Sequence, residues 1–391
     1  MQTIHDLEVK GKKVLLRADF NVPMDAEKNI TDDIRMRMVL PTIKLLIEKG
    51  AKLIICSHCG RPNGERNMEF SLAPIAAHLQ TLTNMKVTLA EDCIGEAAEK
   101  TINAAADNEI VLLENLRFYS GETANDSEFS KQLASLAEVY VNDAFAVSHR
   151  AHASVVGVPQ LMSEKAAGLL LQKEIDYFRK SMGEPVRPLV AVVGGAKVSS
   201  KLGALTNMLD KVDKMIVGGA MANTFLKSMG SNVGASKVED DLLETAKKFV
   251  EDADARGVKL YFPVDFVVAD KFDNDAVHMN VTFRDIPEGW MALDVGPASS
   301  LLFREALSDA RTIIWNGPMG AFEMDSFARG TMAMCQDIAS SHALSIVGGG
   351  DSNAAVKKAG EEQNMSYMST GGGAFLYMME GKVLPGVAAL N

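Results

Sequence analysis

Cationic and polar side chains follow the short apolar runs in the first half of the chain. Guanidinium groups bind carboxylates and phosphates through paired hydrogen bonds. One arginine at such a position would more often form a surface ion pair, but its repetition at equivalent positions favours a shared site. We therefore predict a basic pocket for a small, multiply anionic molecule. The residues are Asp19, Asn21, Arg35, Arg37, His58, Arg61, Arg117, His149, Arg150 and His152.

Glycine-rich turns follow the apolar runs in the second half. Glycines at a helix N-terminus let backbone N–H groups approach an anion, and the helix dipole favours its negative charge. The turns suit the phosphate chain of a nucleotide, although a single glycine triplet is more often only a tight turn. Neither the P-loop pattern nor the G-x-G-x-x-G dinucleotide pattern is present. The residues are Gly194, Gly195, Lys197, Lys201, Gly218, Gly219, Gly348, Gly349, Gly350, Asp351, Ser352, Thr370, Gly371, Gly372 and Gly373.

The segment WNGPMGAFE follows another apolar run and contains Asn316 and Glu323. A Gly-Pro turn would account for it equally well. In a nucleotide site, Glu323 could bind a ribose hydroxyl. Asp351 could bind Mg²⁺, an ion that takes few protein carboxylates and completes its shell with phosphate oxygens.

A basic pocket and a glycine-rich pocket with two lysines together indicate phosphoryl transfer. This chemistry depends on positioning and charge neutralisation more than on covalent help from the protein. The hydrolase patterns G-x-S-x-G and H-E-x-x-H are absent. Because water competes as an acceptor, we expect the two pockets to lie on separate domains that close over the substrates.

Apolar runs alternate with helix-period segments along the whole chain. Continuous apolar runs of this length indicate parallel strands that are buried on both faces. The pattern predicts an α/β fold with two doubly wound, Rossmann-like parallel-sheet domains joined by a hinge helix. We place the boundary between Leu161 and Glu184, and we predict that Glu164–Lys180 forms the connecting helix.

Composition excludes several classes of protein. The 391 residues are 47% hydrophobic and 23% charged, which is typical of a globular chain and excludes intrinsic disorder. The net charge of −11 argues against a nucleic-acid partner and against an anionic membrane. Since no leader-like segment begins the sequence, we expect a cytoplasmic protein. The four cysteines form no disulfide framework, and Cys56 and Cys59 are interpreted as ordinary thiols.

An ordered set of motifs resembles the phosphoglycerate kinase family. The matching segments run from about residue 14 to 388: RADFNVP, DIRMRMVLPTI, SHCGRP, LLENLRF, SHRAHAS, GGAKVSSK, VDFVVADKF, ALDVGPAS, WNGPMGAFE, GGGDS, STGGGA and LPGVA. The resemblance implies transfer between ATP and 3-phosphoglycerate with Mg²⁺, by a protein we expect to be monomeric. It implies an N-terminal 3-phosphoglycerate domain, residues 1–165, with the tail 380–391 packed on it. Residues 166–379 would form the connecting helix and the nucleotide domain.

The resemblance also implies roles for individual residues. For the substrate, Asp19 and Asn21 would contact the glycerate and Arg35 would orient the reacting carboxylate. The residues His58, Arg61, Arg117 and Arg150 would bind its phosphate end.

For the nucleotide, Lys197 and Lys201 would neutralise the phosphates in the transfer region, and Glu323 would hold the ribose. Asp351 would hold the metal. Ser352 and nearby backbone would bind the nucleotide phosphates. The helix N-terminus at Gly371, Gly372 and Gly373 would stabilise the transferring group. The remaining nucleotide-binding residues would be Asn316, Gly348, Gly349 and Gly350.

Four small residues depart from the family pattern. Cys59 stands where the family usually has Leu, Ala220 stands where it usually has Gly, and Ala146 and Ser148 change the segment before Arg150. We expect Cys59, beside two cationic groups, to have thiolate character. Two alternatives remain, a transferase for another phosphorylated acid and a non-catalytic binding protein on the same scaffold. A dehydrogenase is opposed by the absent dinucleotide pattern.

Overall fold

Two six-stranded parallel sheets organise the chain. The computed structural model describes residues 1–391. It divides into a first unit, Met1–Ile175 with Val383–Asn391, and a second unit, Asp176–Lys382. None of the helices combines the length and apolar character that crossing a bilayer would require.

The first unit is built on a sheet with strand order β3-β4-β2-β1-β5-β6. Val14, Leu15 and Leu16 of β1 are completely buried, as expected for a central strand covered on both faces. The strands are β1 (Lys13–Arg17), β2 (Lys52–Cys56), β3 (Val87–Leu89), β4 (Ile110–Leu112), β5 (Val139–Asn142) and β6 (Glu164–Ala167).

The first helix of this unit buries one apolar stripe. In the first helix Met36, Val39, Ile43 and Leu46 are buried, and their spacing of three and four residues places them on one face. The helices are α1 (Ile34–Glu48), α2 (Ala73–Thr83), α3 (Gly95–Ala104), α4 (Ser120–Ala124), α5 (Ser127–Ala134), α6 (Val158–Leu161) and α7 (Leu169–Phe178), which runs from this unit into the start of the second.

The prediction of one helix over Glu164–Lys180 is wrong in its first turn. Residues Glu164–Ala167 form β6, which pairs in parallel with β5, and the helix begins only at Leu169. The sequence EKAA has good helix formers, but the free edge of β5 offers it a full set of backbone hydrogen bonds. Tertiary pairing therefore overrides the local preference.

The second unit contains a parallel sheet with strand order β15-β14-β13-β7-β8-β9 and a three-stranded antiparallel sheet with order β11-β10-β12. The fold class predicted from the alternation of strands and helices is confirmed, with the antiparallel sheet as an addition. The strands are β7 (Leu189–Val193), β8 (Lys214–Val217), β9 (Lys259–Tyr261), β10 (Asp265–Ala269), β11 (His278–Thr282), β12 (Met291–Val295), β13 (Thr312–Asn316), β14 (Leu344–Val347) and β15 (Tyr367–Met368).

The helices of the second unit follow its strands in the same alternation. Two of them, α13 (Gly350–Ala359) and α14 (Gly372–Met379), begin directly after a glycine and belong to the candidate site described below. The helices are α8 (Leu202–Met208), α9 (Met221–Ser228), α10 (Leu243–Ala255), α11 (Pro297–Leu307), α12 (Arg329–Ala339), α13 (Gly350–Ala359) and α14 (Gly372–Met379).

The C-terminal segment ends in a short helix, α15 (Pro385–Ala388), that belongs to the first unit. Gly386 N donates to the Ser148 carbonyl at 2.9 Å, and Ala389 packs into a small apolar cluster with Ala144, Val147 and neighbouring residues. A Cβ at residue 386 would lie 3.1 Å from the Ser148 Cα, so the close approach requires glycine.

Candidate functional site

Three predicted site residues come together where the carboxyl end of β1 lies beside the start of α1. Arg35, in the first turn of α1, donates from Nη1 to Asp19 Oδ2 at 3.1 Å and to the Asn21 carbonyl at 2.9 Å. Asp19 is nearly buried, whereas the Arg35 side chain keeps 35% of its surface exposed. Because guanidinium carries five N–H donors, this arrangement leaves donors free for a ligand.

Two predicted residues hold the turn that follows β2. Asn21 Oδ1 accepts from Gly60 N at 2.9 Å, and Arg117 Nη1 donates to the Gly60 carbonyl at 2.8 Å. Gly60 has a φ of +62°, a backbone conformation that favours glycine. The turn therefore fixes the backbone positions from which His58 and Arg61 project.

His58 is 2% exposed and lies at the carboxyl end of β2. Burial and the charges of Arg17, Arg117 and Arg35 hold its pKa well below the usual value for histidine, so the ring is neutral at physiological pH. Burial, Arg17 and Arg150 also lower the pKa of Arg117 to about 10. The cluster concentrates positive charge in a chain whose net charge is −11, and so favours an anionic ligand.

Two predicted arginines lie at the exposed rim. Arg61 makes no ion pair, and Arg150 Nε lies 3.3 Å from His149 Nε2. Their side chains are accessible to a ligand, in contrast to the buried members of the cluster. The residues that the structure brings into one contacting group are Asp19, Asn21, Arg35, His58 and Arg117.

Three buried polar residues behind this cluster are not among those predicted from the sequence. Arg17 is 1% exposed, Glu122 is completely buried, and Ser154 lies between them. One signal was available, because Arg17 is a charged residue directly after the apolar residues Val14–Leu16 of β1. Glu122 lies in a segment without an apolar run, and Ser154 is a small polar residue at the end of the motif SHRAHAS.

In the second unit, β7 and β13 are neighbours where the strand order reverses, since β7 leads to β8 on one side and β13 to β14 on the other. Gly194 N donates to the Asn316 carbonyl at 3.0 Å, and Gly195 N donates to the Pro318 carbonyl at 3.0 Å. In doubly wound sheets, ligands bind in the crevice beyond such a switch point. Both predicted glycines of the GGAK turn therefore lie at the edge where a ligand is expected.

Lys201 bridges the same two strand ends. Its Nζ donates to the carbonyls of Gly194 at 2.6 Å and Asn316 at 2.9 Å. Burial lowers the pKa of Lys201 to about 8, and the charge of Asp351 partly opposes this effect. Lys197, by contrast, is exposed.

Two helix N-termini meet beside Asn316. Helix α13 begins after Gly349 and α14 begins after Gly371, and neither has a side-chain cap. Asn316 Nδ2 donates to the Gly348 carbonyl at 2.8 Å and so steadies the first loop. A Cβ on Gly372 would lie 2.9 Å from the Gly349 Cα, so the two loops can approach only through glycine. Uncapped N–H groups and the positive ends of two helix dipoles are features that favour an anionic ligand.

Ser352 lies beneath the first of these loops. Its hydroxyl is completely buried and accepts from Gly317 N at 2.6 Å. The side chain therefore braces the loop, and contact with a phosphate would come from the Ser352 backbone. Gly350 and Gly373, one in each loop, are exposed.

A cavity of about 360 Å³ opens beside these loops. The predicted residues Glu323 and Asp351 line it, together with Ala220. Its volume and mixed lining suit a flat heterocycle with a polar sugar. The apolar wall of the cavity is not among the features predicted from the sequence, because most of it comes from β10, β12 and the loop between β10 and β11. The residues of this wall include Phe266, Phe272, Met291, Ala292 and Leu293.

The whole-chain comparison decides the family. The family model described as phosphoglycerate kinase matches residues 4–382. The chain belongs to the phosphoglycerate kinase family. The motif-based prediction of the family is thereby confirmed, and membership assigns the chain to the kinases, enzymes that transfer a phosphoryl group.

Relatives and solved structures match along nearly the full length. A phosphoglycerate kinase from Desulfotalea psychrophila is 67% identical over 391 residues, which are 100% of both chains. One from Pelobacter propionicus is 56% identical over 384 residues, covering 98% of this chain and 96% of that one. The structure of phosphoglycerate kinase from Coxiella burnetii has a TM-score of 0.91 at 42% identity, covering 99% of this chain and 98% of that one.

The departures from the family pattern keep the charged cluster intact. Ser148 is buried, and its hydroxyl donates to the Ala144 carbonyl at 2.9 Å. Ala220 lines the cavity. The expectation of thiolate character at Cys59 is wrong, because burial raises the pKa of this thiol and outweighs the nearby cations Lys28 and Arg117. The interpretation of Cys56 and Cys59 as ordinary thiols agrees with two buried cysteines that are not joined in a disulfide.

Asp351 is the one predicted metal ligand, and its surroundings suit Mg²⁺ only with a phosphate ligand present. The side chain is exposed in the first turn of α13 and lines the cavity. No group of three or more His, Cys, Asp or Glu residues could hold a metal ion. This donor set fits an ion that takes one carboxylate and completes its shell with phosphate and water oxygens.

Proposed function

We propose that the chain catalyses reversible transfer of the γ-phosphoryl group of ATP to the carboxylate of 3-phosphoglycerate, giving 1,3-bisphosphoglycerate and ADP. A carboxylate oxygen forms the new bond to phosphorus as the bond to the β-phosphate oxygen breaks. The acceptor is ionised at neutral pH, so no general base is needed. The observation that carries the proposal is the convergence of Lys201 and two uncapped helix N-termini on Asn316 at the switch point of a doubly wound sheet.

The first unit, in this proposal, binds 3-phosphoglycerate. Arg35, which donates to Asp19, orients the reacting carboxylate. Asp19 and Asn21 hold the glycerate, and Asn21 also holds the turn at Gly60. Arg61 and Arg150 are exposed, which supports direct contact with the phosphate group of the substrate. Hydrogen bonds from arginine to phosphate are charge-assisted and therefore strong. The other two residues proposed there are His58 and Arg117.

The second unit, in this proposal, binds the nucleotide. The cavity takes the adenosine, with Glu323 on the ribose, and the glycine loops take the phosphates. Lys201, Lys197 and the N-terminus at Gly371–Gly373 stabilise the charge on the transferring group. Mg²⁺ held by Asp351 would neutralise phosphate charge when bound.

Turnover with purified protein tests the proposal. ATP, Mg²⁺ and 3-phosphoglycerate are supplied with glyceraldehyde-phosphate dehydrogenase, and loss of NADH is followed. Loss that requires all three components supports the kinase. No loss, with folded protein and a working control enzyme, would favour a non-catalytic binding protein or a different phosphorylated acid.

Arg61→Ala is expected to act on substrate binding. The side chain is exposed and braces no other site residue, so its removal costs one charge-assisted contact. Such a contact contributes about 1.5–3 kcal/mol, which is a rise in the KM for 3-phosphoglycerate of about 10- to 100-fold. Steady-state kinetics measure it, with Arg66→Ala, an arginine paired with Asp92 at 3.1 Å, as the matched control. A large fall in kcat with an unchanged KM would contradict the assignment.

The dependence of kcat/KM for ATP on pH should follow the protonation of Lys201. Its pKa is lowered to about 8, so the ammonium is present below this pH and is lost as pH rises through it. Since kcat/KM reports the free enzyme, kcat/KM for ATP should fall about tenfold per pH unit above about 8. The variant Lys201→Arg stays protonated and should lose this limb of the profile. A wild-type profile that is flat to pH 10 would contradict the role of Lys201.

We further propose that the protein acts as a cytoplasmic monomer. Four free cysteines suit a reducing compartment. Its exposed large hydrophobic side chains occur along the whole sequence, from Met1 to Val383, and not in one segment. Analytical ultracentrifugation of the purified chain tests the oligomeric state.

A further inference from the structure

Arg17 is an arginine enclosed in the protein behind the proposed substrate site. It ends β1 and is 1% exposed. Its Nε donates to Ser154 Oγ at 2.8 Å, its Nη1 donates to the Ala18 carbonyl, and its Nη2 lies 3.3 Å from His58 Nδ1. The side chain therefore uses donors on all three nitrogens inside the protein and is unsuited to contact a ligand itself.

The contact with His58 decides where the imidazole carries its proton. Guanidinium nitrogens can only donate, so Nδ1 must be the acceptor and the neutral ring carries its proton on Nε2. Asp19 Oδ1 would favour the opposite tautomer, but it lies 3.8 Å from Nδ1, beyond hydrogen-bond distance. The other nitrogen, Nε2, makes no hydrogen bond within the protein and is not among the enclosed unpartnered polar atoms. It is left as a donor for a ligand.

Glu122 and Ser154 hold Arg17 in this orientation. The Glu122 carboxylate is completely buried and accepts from Ser154 N at 2.9 Å and Ser154 Oγ at 2.6 Å. Because this hydroxyl gives its proton to Glu122, it offers a lone pair to Arg17 Nε. Glu122 Oε1 also lies 4.0 Å from Arg17 Nη2 and supplies the counter-charge that an enclosed guanidinium requires.

We propose that Arg17, anchored by Glu122 through Ser154, is a positioning residue that fixes His58 as the Nε2–H tautomer, so that His58 donates a hydrogen bond to the anionic substrate. The identity of that substrate rests on the proposed function. The placement of the proton does not, since Arg17, Glu122 and Ser154 establish it before any ligand binds.

The tautomer can be measured without turnover. The full chain is labelled with ¹⁵N at its seven histidines, and long-range ¹H–¹⁵N correlations are recorded at pH 7. His58→Gln assigns the signals. The wild type should show Nδ1 without a proton and Nε2 with one. In Arg17→Met, which removes the donor but keeps an unbranched side chain, both tautomers should be populated. The KM for 3-phosphoglycerate should rise about tenfold with kcat changed less than threefold.

Tyr140→Phe is the matched control. Tyr140 OH donates to the Ser154 carbonyl at 2.7 Å, so its loss removes an enclosed hydrogen bond to the same residue without touching Arg17. The His58 tautomer should stay unchanged. If Arg17→Met does not fold, Ser154→Ala replaces it and should shift the tautomer in the same direction.

Three results would overturn the proposal. They are a wild-type His58 protonated on Nδ1, a single Nε2–H tautomer that persists in the Arg17 or Ser154 variant, and an equal shift in Tyr140→Phe. If the wild type fails to turn over 3-phosphoglycerate while the tautomer is as expected, the proposed function fails and the assignment of the proton stands.

Discussion

Lys201→Ala is expected to lower kcat about a thousandfold while changing the KM for 3-phosphoglycerate less than threefold. Lys201 Nζ lies against the carbonyl ends of β7 and β13, beside the loop steadied by Asn316. A cation in this partly enclosed position meets the phosphoryl group whose charge spreads in the transition state. Loss of one such preorganised donor typically costs a factor of about 100 to 1,000 in kcat. Steady-state kinetics with both substrates varied measure the effect.

The control for Lys201 is a lysine of the same unit outside the site. Lys227 Nζ pairs with Asp240 Oδ1 at 2.7 Å on the surface, and Lys227→Ala should leave kcat within twofold of wild type. A Lys201→Ala protein with wild-type kcat and a raised KM for ATP would assign this lysine to ground-state binding instead. Unchanged thermal stability in both variants would show that the loss is not one of folding.

The buried parallel strands could be predicted because their apolar runs are continuous. The interior strands of the two parallel sheets all fall within such runs, and they are β1, β2, β4, β5, β7, β8, β13 and β14. The edge strands could not, because β6 and β15 are short and only partly buried, and their pairing partner determines their structure. The largely apolar segment KLYFPVDFVVA is divided between β9 and β10, which belong to different sheets. Pro263 interrupts the run, since it has no N–H to give to a ladder.

Part of the candidate site could likewise be predicted from the sequence, and part could not. Strand-end residues such as Asp19, His58 and Gly194 follow recognisable runs, so the rule that ligands bind beyond carboxyl ends finds them. Glu122 follows no apolar run, and Leu293 of the cavity wall lies in the motif ALDVGPAS, which the strand-end rule does not select. Their proximity to the site depends on how helices and the antiparallel sheet pack. The charge state of Cys59 was mispredicted for a related reason, because burial is a property of the fold.

Gly194→Ala is expected to destabilise the second unit strongly. A Cβ there would overlap the carbonyl oxygen of Pro318 and lie 2.7 Å from the carbonyl oxygen of Gly317. Both atoms are backbone at the end of β13, so relief requires the β7 and β13 ends to separate. Overpacking of this kind costs about 3 kcal/mol. For a unit of this size that corresponds to a fall in Tm of about 10 °C, measurable by calorimetry.

The same substitution should also impair catalysis, since the strand ends that would separate are those bridged by Lys201. Gly350→Ala is the stability control, because its Cβ would meet nothing within 4 Å and its φ is not positive. Its Tm should stay within about 2 °C of wild type, since alanine is also the better helix former. A Gly194→Ala protein with wild-type Tm would mean that the two strand ends tolerate separation. The backbone contact at the switch point would then not be what holds Lys201 in place.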